Sequence, residues 1–168
     1  MFERKKLRKE VEGYLLANQQ PLYRLAYSYV KNPEDALDIV QESIVKAISS
    51  VDSLEKSQSI KTWVYRIVVN TSLDALRKQK RLDIIDEETL SRYESGTASF
   101  NYSDLDLAKA LDQLPPDDRS RIVLRYYEDL KIEDVADILN ENVNTTKSRL
   151  YSTLRKLRLQ MEEEIKEV

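Results

Sequence analysis

The chain has 168 residues and a formal net charge of −3, and it contains neither cysteine nor histidine. These absences exclude disulfides, thiolate or imidazole nucleophiles, and the usual protein ligands of zinc and haem. Only two glycines occur, Gly13 and Gly96, so neither a phosphate-binding loop nor a dinucleotide fingerprint is present. A carboxylate-only enzyme stays formally open, but no pair of acids stands out. We therefore expect no enzymatic activity, cofactor or metal.

Scarce glycine and proline, together with apolar residues that recur every three or four positions, predict an all-α protein. The longest apolar runs are only a few residues, and residues 1–9 are highly charged. We therefore expect no transmembrane span or secretory signal, and a cytoplasmic protein.

The first amphipathic stripe follows Pro21 and consists of Leu22, Leu25, Ala26, Tyr29 and Val30. Asn32 and Pro33 then fit the cap and first position of a second helix, which is predicted to run to about Ser49. Its predicted inner face is Leu37, Val40, Ile44 and Ile48, and its predicted outer face is Asp38, Gln41, Glu42 and Val45. That outer face fits either solvated surface or a docking site for a partner helix.

A third helix is predicted from about Ile60 to about Lys80, and it carries a cluster of cations. Its predicted buried arc is Ile60, Val64, Ile67, Val68, Thr71 and Ala75. Another arc holds Trp63, Arg66, Asn70, Asp74, Arg77 and Arg81. An aromatic ring, arginines and an amide together suit stacking, backbone contact and base reading on single-stranded nucleic acid. Taken alone, packing of Trp63 against a neighbouring helix is the favoured interpretation.

Acids dominate the segment from Asp83 to Asp106, where Arg92 is the single cation, and its length favours an interdomain linker over a surface loop. The two small helical domains are accordingly predicted at residues 1–82 and 104–168, joined by an acidic flexible linker at 83–103. In the second domain we expect a helix over Leu105–Leu114, a stop at Pro115 and Pro116, and another helix around Ile122–Leu130.

Residues 131–158 fit a helix-turn-helix. Ile132, Val135, Ala136 and Leu139 form the buried stripe of its first helix, and the turn contains Asn142, which can adopt the left-handed conformation. From Asn144 to Gln160 the second helix carries five cations and no acid: Lys147, Arg149, Arg155, Lys156 and Arg158. That pattern indicates a helix that enters the major groove of DNA, in preference to a solvated amphipathic helix.

Four segments read together resemble the extracytoplasmic-function sigma factors, a group of the bacterial sigma-70 family. The segments are YRLAYSYVKNPEDALDIVQESIVKA, IKTWVYRIVVNTSLDALRKQKR, LDQLPPDDRSRIVLRYYEDLKIEDVADIL and NTTKSRLYSTLRKLR. They cover most of residues 22–160 in the family's order and spacing, and the first half is closest to the sigma-V-like branch of Gram-positive bacteria.

The resemblance implies a two-domain transcription initiation factor that joins core RNA polymerase and directs it to promoters. Asp38, Gln41 and Glu42 would contact the clamp helices of the largest polymerase subunit, and the second domain would meet the polymerase flap. The family also implies a cognate anti-sigma factor, often membrane-anchored, and a regulon for cell-envelope stress.

The same resemblance assigns roles on promoter DNA. The −10 element would be melted and read by Trp63, Arg66, Asn70, Asp74 and Arg77, with the loop from Asp52 to Lys61 around a flipped base. The −35 duplex would be read by Thr145, Thr146, Lys147, Ser148, Arg149, Ser152 and Arg155.

Two positions depart from the family pattern. Asn144 stands where a glycine commonly precedes the recognition helix, and it is expected to cap that helix. Asp74 stands where the −10 reader often has a neutral or amide residue, and a carboxylate would favour a cytosine amino group.

The main alternative function is a transcriptional regulator with the same C-terminal helix-turn-helix and a ligand-sensing helical N-terminal half. Such a regulator is expected to dimerise and bind duplex DNA without polymerase.

Overall fold

The computed structural model describes residues 2–55, 59–85 and 105–166. Contacts divide the chain into two units, Met1–Gly96 and Thr97–Val168. The first unit contains α1 (Phe2–Ala17), α2 (Gln19–Val30), α3 (Pro33–Ser49), a 3₁₀ turn (Val51–Ser53) and α4 (Ile60–Ile85). The second contains α5 (Leu105–Asp112), α6 (Pro116–Ile122), a π-helical turn (Val123–Tyr127), α7 (Ile132–Ile138) and α8 (Val143–Lys166). The predicted all-helical class is confirmed, since the described residues contain no strand.

The first unit is a bundle of α2, α3 and α4, with α1 packed on α3 and α4. The predicted α2 stripe is buried. The helix α2 packs on α4, where Val64 and Val68 are also buried. Lys31 ends α2 in the left-handed conformation with φ of 53°. Asn32 then caps α3, because its side-chain oxygen accepts from the Asp35 N–H at 3.1 Å. These two residues turn the chain back on itself so that α2 and α3 pack together.

The buried face of α3 differs from the prediction. Leu37 is 53% exposed, whereas the neighbouring Ile39 is buried. The reason is that α3 contacts α1, α2 and α4, so its buried arc centres on Ala36, Ile39, Val40, Ser43 and Ala47. Leu37 therefore joins the outer face of the helix.

The helix α4 is longer and more widely buried than predicted. It continues through Ile85, three residues into the predicted linker, and the rest of that linker lies outside the described residues. Its buried side chains are Trp63, Val64, Tyr65, Val68, Val69, Thr71 and Ser72. The predicted core positions Ile60, Ile67 and Ala75 are only half-buried.

The second unit encloses a separate core in which α5, α6 and α7 all pack on α8. Its buried members are Ala110, Leu111, Leu114, Ile122, Leu150 and Leu157. Arg119 is 1% exposed and donates from Nη1 to the carbonyls of Leu114 and Asp112, at 3.1 and 3.3 Å. This satisfies carbonyl groups at the end of α5, which have no partner within the helix. None of the described helices is both long and apolar enough to span a membrane.

Candidate nucleic-acid interface

The turn between α7 and α8 sets the direction in which α8 leaves the core. Asn140 occupies the left-handed region with φ of 54°, and the Glu141 N–H donates to the Ala136 carbonyl at 2.8 Å. Asn142 then caps α8, since its side-chain oxygen accepts from the Asn144 N–H at 2.9 Å. Two predictions were therefore wrong: the left-handed residue is Asn140, not Asn142, and the cap is Asn142, not Asn144. The first turn of α8 already includes Asn144.

A polar cluster beneath this turn consists of Arg121, Asp118, Glu141, Thr146 and Arg149. Arg121 of α6 is 2% exposed and donates to Glu141 from both Nε and Nη2, and to Asp118 Oδ1 from Nη1 at 2.8 Å. Glu141 also accepts from the Thr146 hydroxyl at 2.9 Å and from Arg149 Nη1 at 3.0 Å. One carboxylate therefore ties α6 to both the turn and the first two turns of α8.

The charges of this cluster stabilise each other. Burial by itself raises the pKa of Glu141, but hydrogen bonds from Arg121 and Thr146 and the charges of Arg121 and Arg149 outweigh it and lower that pKa. Burial likewise works to lower the pKa of Arg121, and the Glu141 and Asp118 carboxylates raise it. Both groups are consequently ionised around neutral pH.

The exposed face of α8 carries most of the predicted duplex-reading residues. Lys147, Ser148, Arg149, Ser152 and Arg155 are exposed, and Thr145 is half-exposed. Thr146 is 0% exposed, and its hydroxyl is occupied by Glu141, so its side chain lies inside the unit and not on this face. Lys156 and Arg158 continue the exposed cations along the helix.

The outer face of α3 brings together Asp38, Gln41 and Glu42, all exposed. Glu42 pairs with Lys46 at 3.3 Å, and Lys46 also donates to the Thr71 hydroxyl of α4 at 3.2 Å. Val45, 64% exposed, lies on the same face as Asp38 and Gln41 by helical spacing. The result is a polar, mostly acidic surface with apolar side chains at its edges, because Leu37 is exposed beside it.

On α4, the predicted base-reading residues differ in their accessibility. Asn70, Asp74 and Arg77 are exposed, and Arg77 pairs with Asp74 at 3.2 Å. Arg66 is half-buried and Trp63 is 8% exposed, so little of the Trp63 residue reaches the surface. In the loop expected to surround a flipped base, residues 56–58 lie outside the described residues.

Sequence reasoning missed the roles of Arg121 and Glu141. Arginine and glutamate are seldom buried, and these two are 20 positions apart, so neither periodicity nor local spacing pairs them. The available signal was weak: Arg121 directly precedes the apolar stripe that begins at Ile122, and Glu141 is an isolated acid between two asparagines.

Family models match both units. The model of sigma-70 region 2 matches residues 15–82, and that of sigma-70 region 4 matches residues 104–157. The first match ends inside α4, and the second includes α5, α6, α7 and most of α8.

Two characterised relatives come from Bacillus subtilis. RNA polymerase sigma factor SigV is 50% identical over 147 residues, covering 88% of this chain and 88% of its own. The extracytoplasmic-function (ECF) RNA polymerase sigma factor SigW is 32% identical over 155 residues, covering 83% and 82%.

Two solved structures share the fold. The sigma factor RpoE of Bartonella quintana, crystallised with the anti-sigma factor NepR, is 27% identical with a TM-score of 0.79, covering 92% of this chain and 98% of its own. CnrH, in complex with the cytosolic domain of CnrY, has a TM-score of 0.68 at 20% identity and shares the architecture over 95% of both chains.

Replacing Glu141 with glutamine is expected to destabilise the second unit in a pH-dependent way. The substitution leaves Asp118 as the only charged partner of the buried Arg121 within the cluster. We expect it to lower the free energy of unfolding of the second unit by about 3 kcal/mol near pH 7. Because the folded pKa of Glu141 is lowered, its charge stabilises the fold above the unfolded value of about 4.3, and this contribution is lost as pH falls through the folded pKa. Hydrogen exchange of α7 amides across pH measures the difference from the wild type.

The matched control is Glu133→Gln, the same change at an exposed position of α7. It is expected to alter α7 protection by less than about 0.5 kcal/mol. An equal, pH-independent loss in both variants would contradict the assignment of the effect to the Arg121–Glu141 pair.

Proposed function

The chain belongs to the extracytoplasmic-function group of the sigma-70 family of RNA polymerase sigma factors, and we propose that its two units divide promoter recognition between them. It is an alternative sigma factor that binds core RNA polymerase and directs transcription initiation at promoters. In our proposal residues 1–82 bind polymerase and read the −10 element, residues 104–168 read the −35 element, and residues 83–103 link the two.

The observation that carries the −35 role is the exposed face of α8. It presents Lys147, Arg149 and Arg155 with no acid between Asn144 and Gln160. Within the described residues Lys147 and Arg155 have no ion pair, so both are available to phosphates. Thr145, Ser148 and Ser152 on the same face can bond to bases or backbone. Thr146 is left out of the proposed contacts because it is buried.

The −10 role rests on the exposed stripe Asn70, Asp74 and Arg77 of α4. Asn70 offers both a donor and an acceptor to the edge of an unstacked base. Asp74 and Arg77 place two opposite charges side by side. The Asp74 carboxylate can accept from a cytosine amino group while Arg77 contacts a phosphate. Arg66 and Trp63 lie on the same arc of α4 by helical spacing, and they would contact the backbone and an adjacent base.

The polymerase-binding role rests on the outer face of α3. Asp38, Gln41 and Glu42 supply acidic and amide groups, and the exposed Leu37 and Val45 supply apolar area. A polar surface with apolar side chains is typical of a protein–protein interface. We assign its partner as the clamp helices of the largest polymerase subunit, and the flap as the partner of the second unit.

Regulation by an anti-sigma factor follows from the relatives. RpoE of Bartonella quintana was solved in complex with the anti-sigma factor NepR. We propose that this chain too has a cognate anti-sigma factor, anchored in the membrane, and that it acts in the cytoplasm on a cell-envelope stress regulon. The family assignment disfavours the ligand-sensing regulator.

Single-round transcription tests the function as a whole. Core polymerase from a Gram-positive bacterium is supplied with a library of randomised upstream sequences, with and without this protein. Transcripts that require the protein and share two spaced upstream motifs are expected. A ligand-responsive regulator would instead select duplex sites as a dimer without polymerase, and that result would overturn the proposal.

Replacing Asp38 with lysine is expected to weaken binding to core polymerase about tenfold, because it reverses a charge on the outer face of α3. Titration of labelled protein with core polymerase measures this affinity. Glu10→Lys makes the same charge change on the exposed surface of α1 and is the matched control. Equal affinities of the two variants would place the polymerase-binding surface elsewhere.

Arg149 and Arg158 are expected to differ in what they recognise. Arg149→Gln should lower discrimination among −35 base substitutions at least about fivefold, since a bidentate arginine–guanine contact contributes roughly 1–3 kcal/mol. Arg158→Gln should leave that discrimination intact and reduce the salt slope of promoter binding by about 0.9. Holoenzyme binding to a panel of promoters at several salt concentrations checks both. Identical profiles would argue against a base-reading role for Arg149.

Asn70→Ala is expected to leave polymerase binding and −35 contact unchanged and to lower open-complex formation. On a template with a pre-melted −10 region, open-complex formation should recover, because strand separation no longer has to be driven. The altered −10 base preference should persist on that template. Permanganate reactivity of thymines on both templates gives the measurement. Gln20→Ala, an exposed amide of α2, is the control, and wild-type reactivity of the Asn70 variant would show that Asn70 is inert surface.

A further inference from the structure

All acceptor positions of the Glu141 carboxylate are occupied. Oε1 accepts from Nη2 of Arg121 and from Nη1 of Arg149, and Oε2 accepts from Nε of Arg121 and from the Thr146 hydroxyl. A carboxylate offers about four lone-pair positions, so this one has no capacity left for DNA or water. Its orientation is fixed by two groups that are themselves buried, Arg121 and Thr146.

Arg149 is the one exposed member of this hydrogen-bonded group around Glu141. Its side chain is 55% exposed, and it uses a single Nη1 donor on Glu141. No other side-chain hydrogen bond or ion pair of Arg149 occurs within the described residues, so its remaining guanidinium donors are unpaired there. A guanidinium is a rigid planar fork, and fixing one edge fixes the direction of the others.

The charges of the cluster keep Glu141 from repelling DNA. Its carboxylate lies between the guanidinium groups of Arg121 and Arg149, and Asp118 is met by Arg121 and by Lys156 at 3.9 Å. Three cations thus accompany two carboxylates. Arg121, Glu141 and Thr146, which we call the anchor, therefore hold Arg149 without making the surroundings of Arg149 negative.

We propose that Glu141 is a positioning residue for Arg149: anchored by Arg121 and Thr146, it sets the guanidinium in the direction needed to read a −35 base before DNA arrives. The inference rests on the proposed −35 role of α8. An arginine held in place loses less conformational freedom on binding than a mobile one, and it presents its fork at one angle. Glu141 therefore contributes to base discrimination without touching a base.

The test replaces the anchor with apolar side chains and leaves Arg149 in place. The triple variant Arg121→Val, Glu141→Leu, Thr146→Val removes one cation and one anion, so the net charge is unchanged. Apolar replacement of a buried ion pair commonly preserves or raises stability, so the fold is expected to persist. Hydrogen exchange of α7 and α8 checks this, and Arg121→Met, Glu141→Leu serves as a second variant.

Two measurements distinguish positioning from a merely structural role. In the free wild-type protein the Nη signals of Arg149 should be separate by nitrogen-15 NMR, and in the triple variant they should average through rotation. In holoenzyme, discrimination at the base that responds to Arg149→Gln should fall about three- to tenfold in the triple variant, with the salt slope and other positions unchanged.

Each possible result bears on the inference. An equally mobile Arg149 in the wild type, or full discrimination in a folded apolar variant, overturns the positioning role and leaves the −35 proposal standing. Unchanged base preference in Arg149→Gln overturns the proposed −35 role of Arg149 and the inference with it.

Discussion

In the second unit the buried guanidinium of Arg121 couples α6 to the turn before α8. Arg121 is removed from water at the end of α6, and its charge requires acceptors at close range. Asp118 comes from its own helix, but Glu141 comes from the turn before α8. Because losing either partner costs several kcal/mol, the positions of α6 and the turn are coupled. The start of α8 is consequently held in a fixed position relative to α6.

In the first unit three buried hydroxyl groups are satisfied within their own helices. The hydroxyls of Ser28, Thr71 and Ser72 donate to carbonyls one turn earlier in their own helices, at 2.5 to 2.7 Å. Such bonds satisfy the polar groups without joining separate helices. The bundle of α2, α3 and α4 therefore packs mainly through apolar side chains, and Lys46 links α3 to α4 through the Thr71 hydroxyl.

The sequence predicted those features that local rules determine. The α2 stripe, the Asn32 cap and the acid-free face of α8 each follow from spacing within one helix, and the structure has all three. Leu37 was misplaced because α3 is packed from three sides, which no single-helix periodicity describes. The left-handed residue was predicted at Asn142 and lies at Asn140, because asparagine can adopt that conformation at either position and the position where α7 ends decides which one does. The pairing of Arg121 with Glu141 was not predicted because charge pairs between residues far apart in the sequence leave no periodic signal.

The paired burial of Arg121 and Glu141 also has an evolutionary consequence. Replacing either residue first removes one partner of the other: Arg121 then keeps only Asp118, and Glu141 keeps only Arg149 as a charged partner. A stepwise change to an apolar cluster therefore passes through a less stable protein. We therefore expect the two positions to vary together among related proteins.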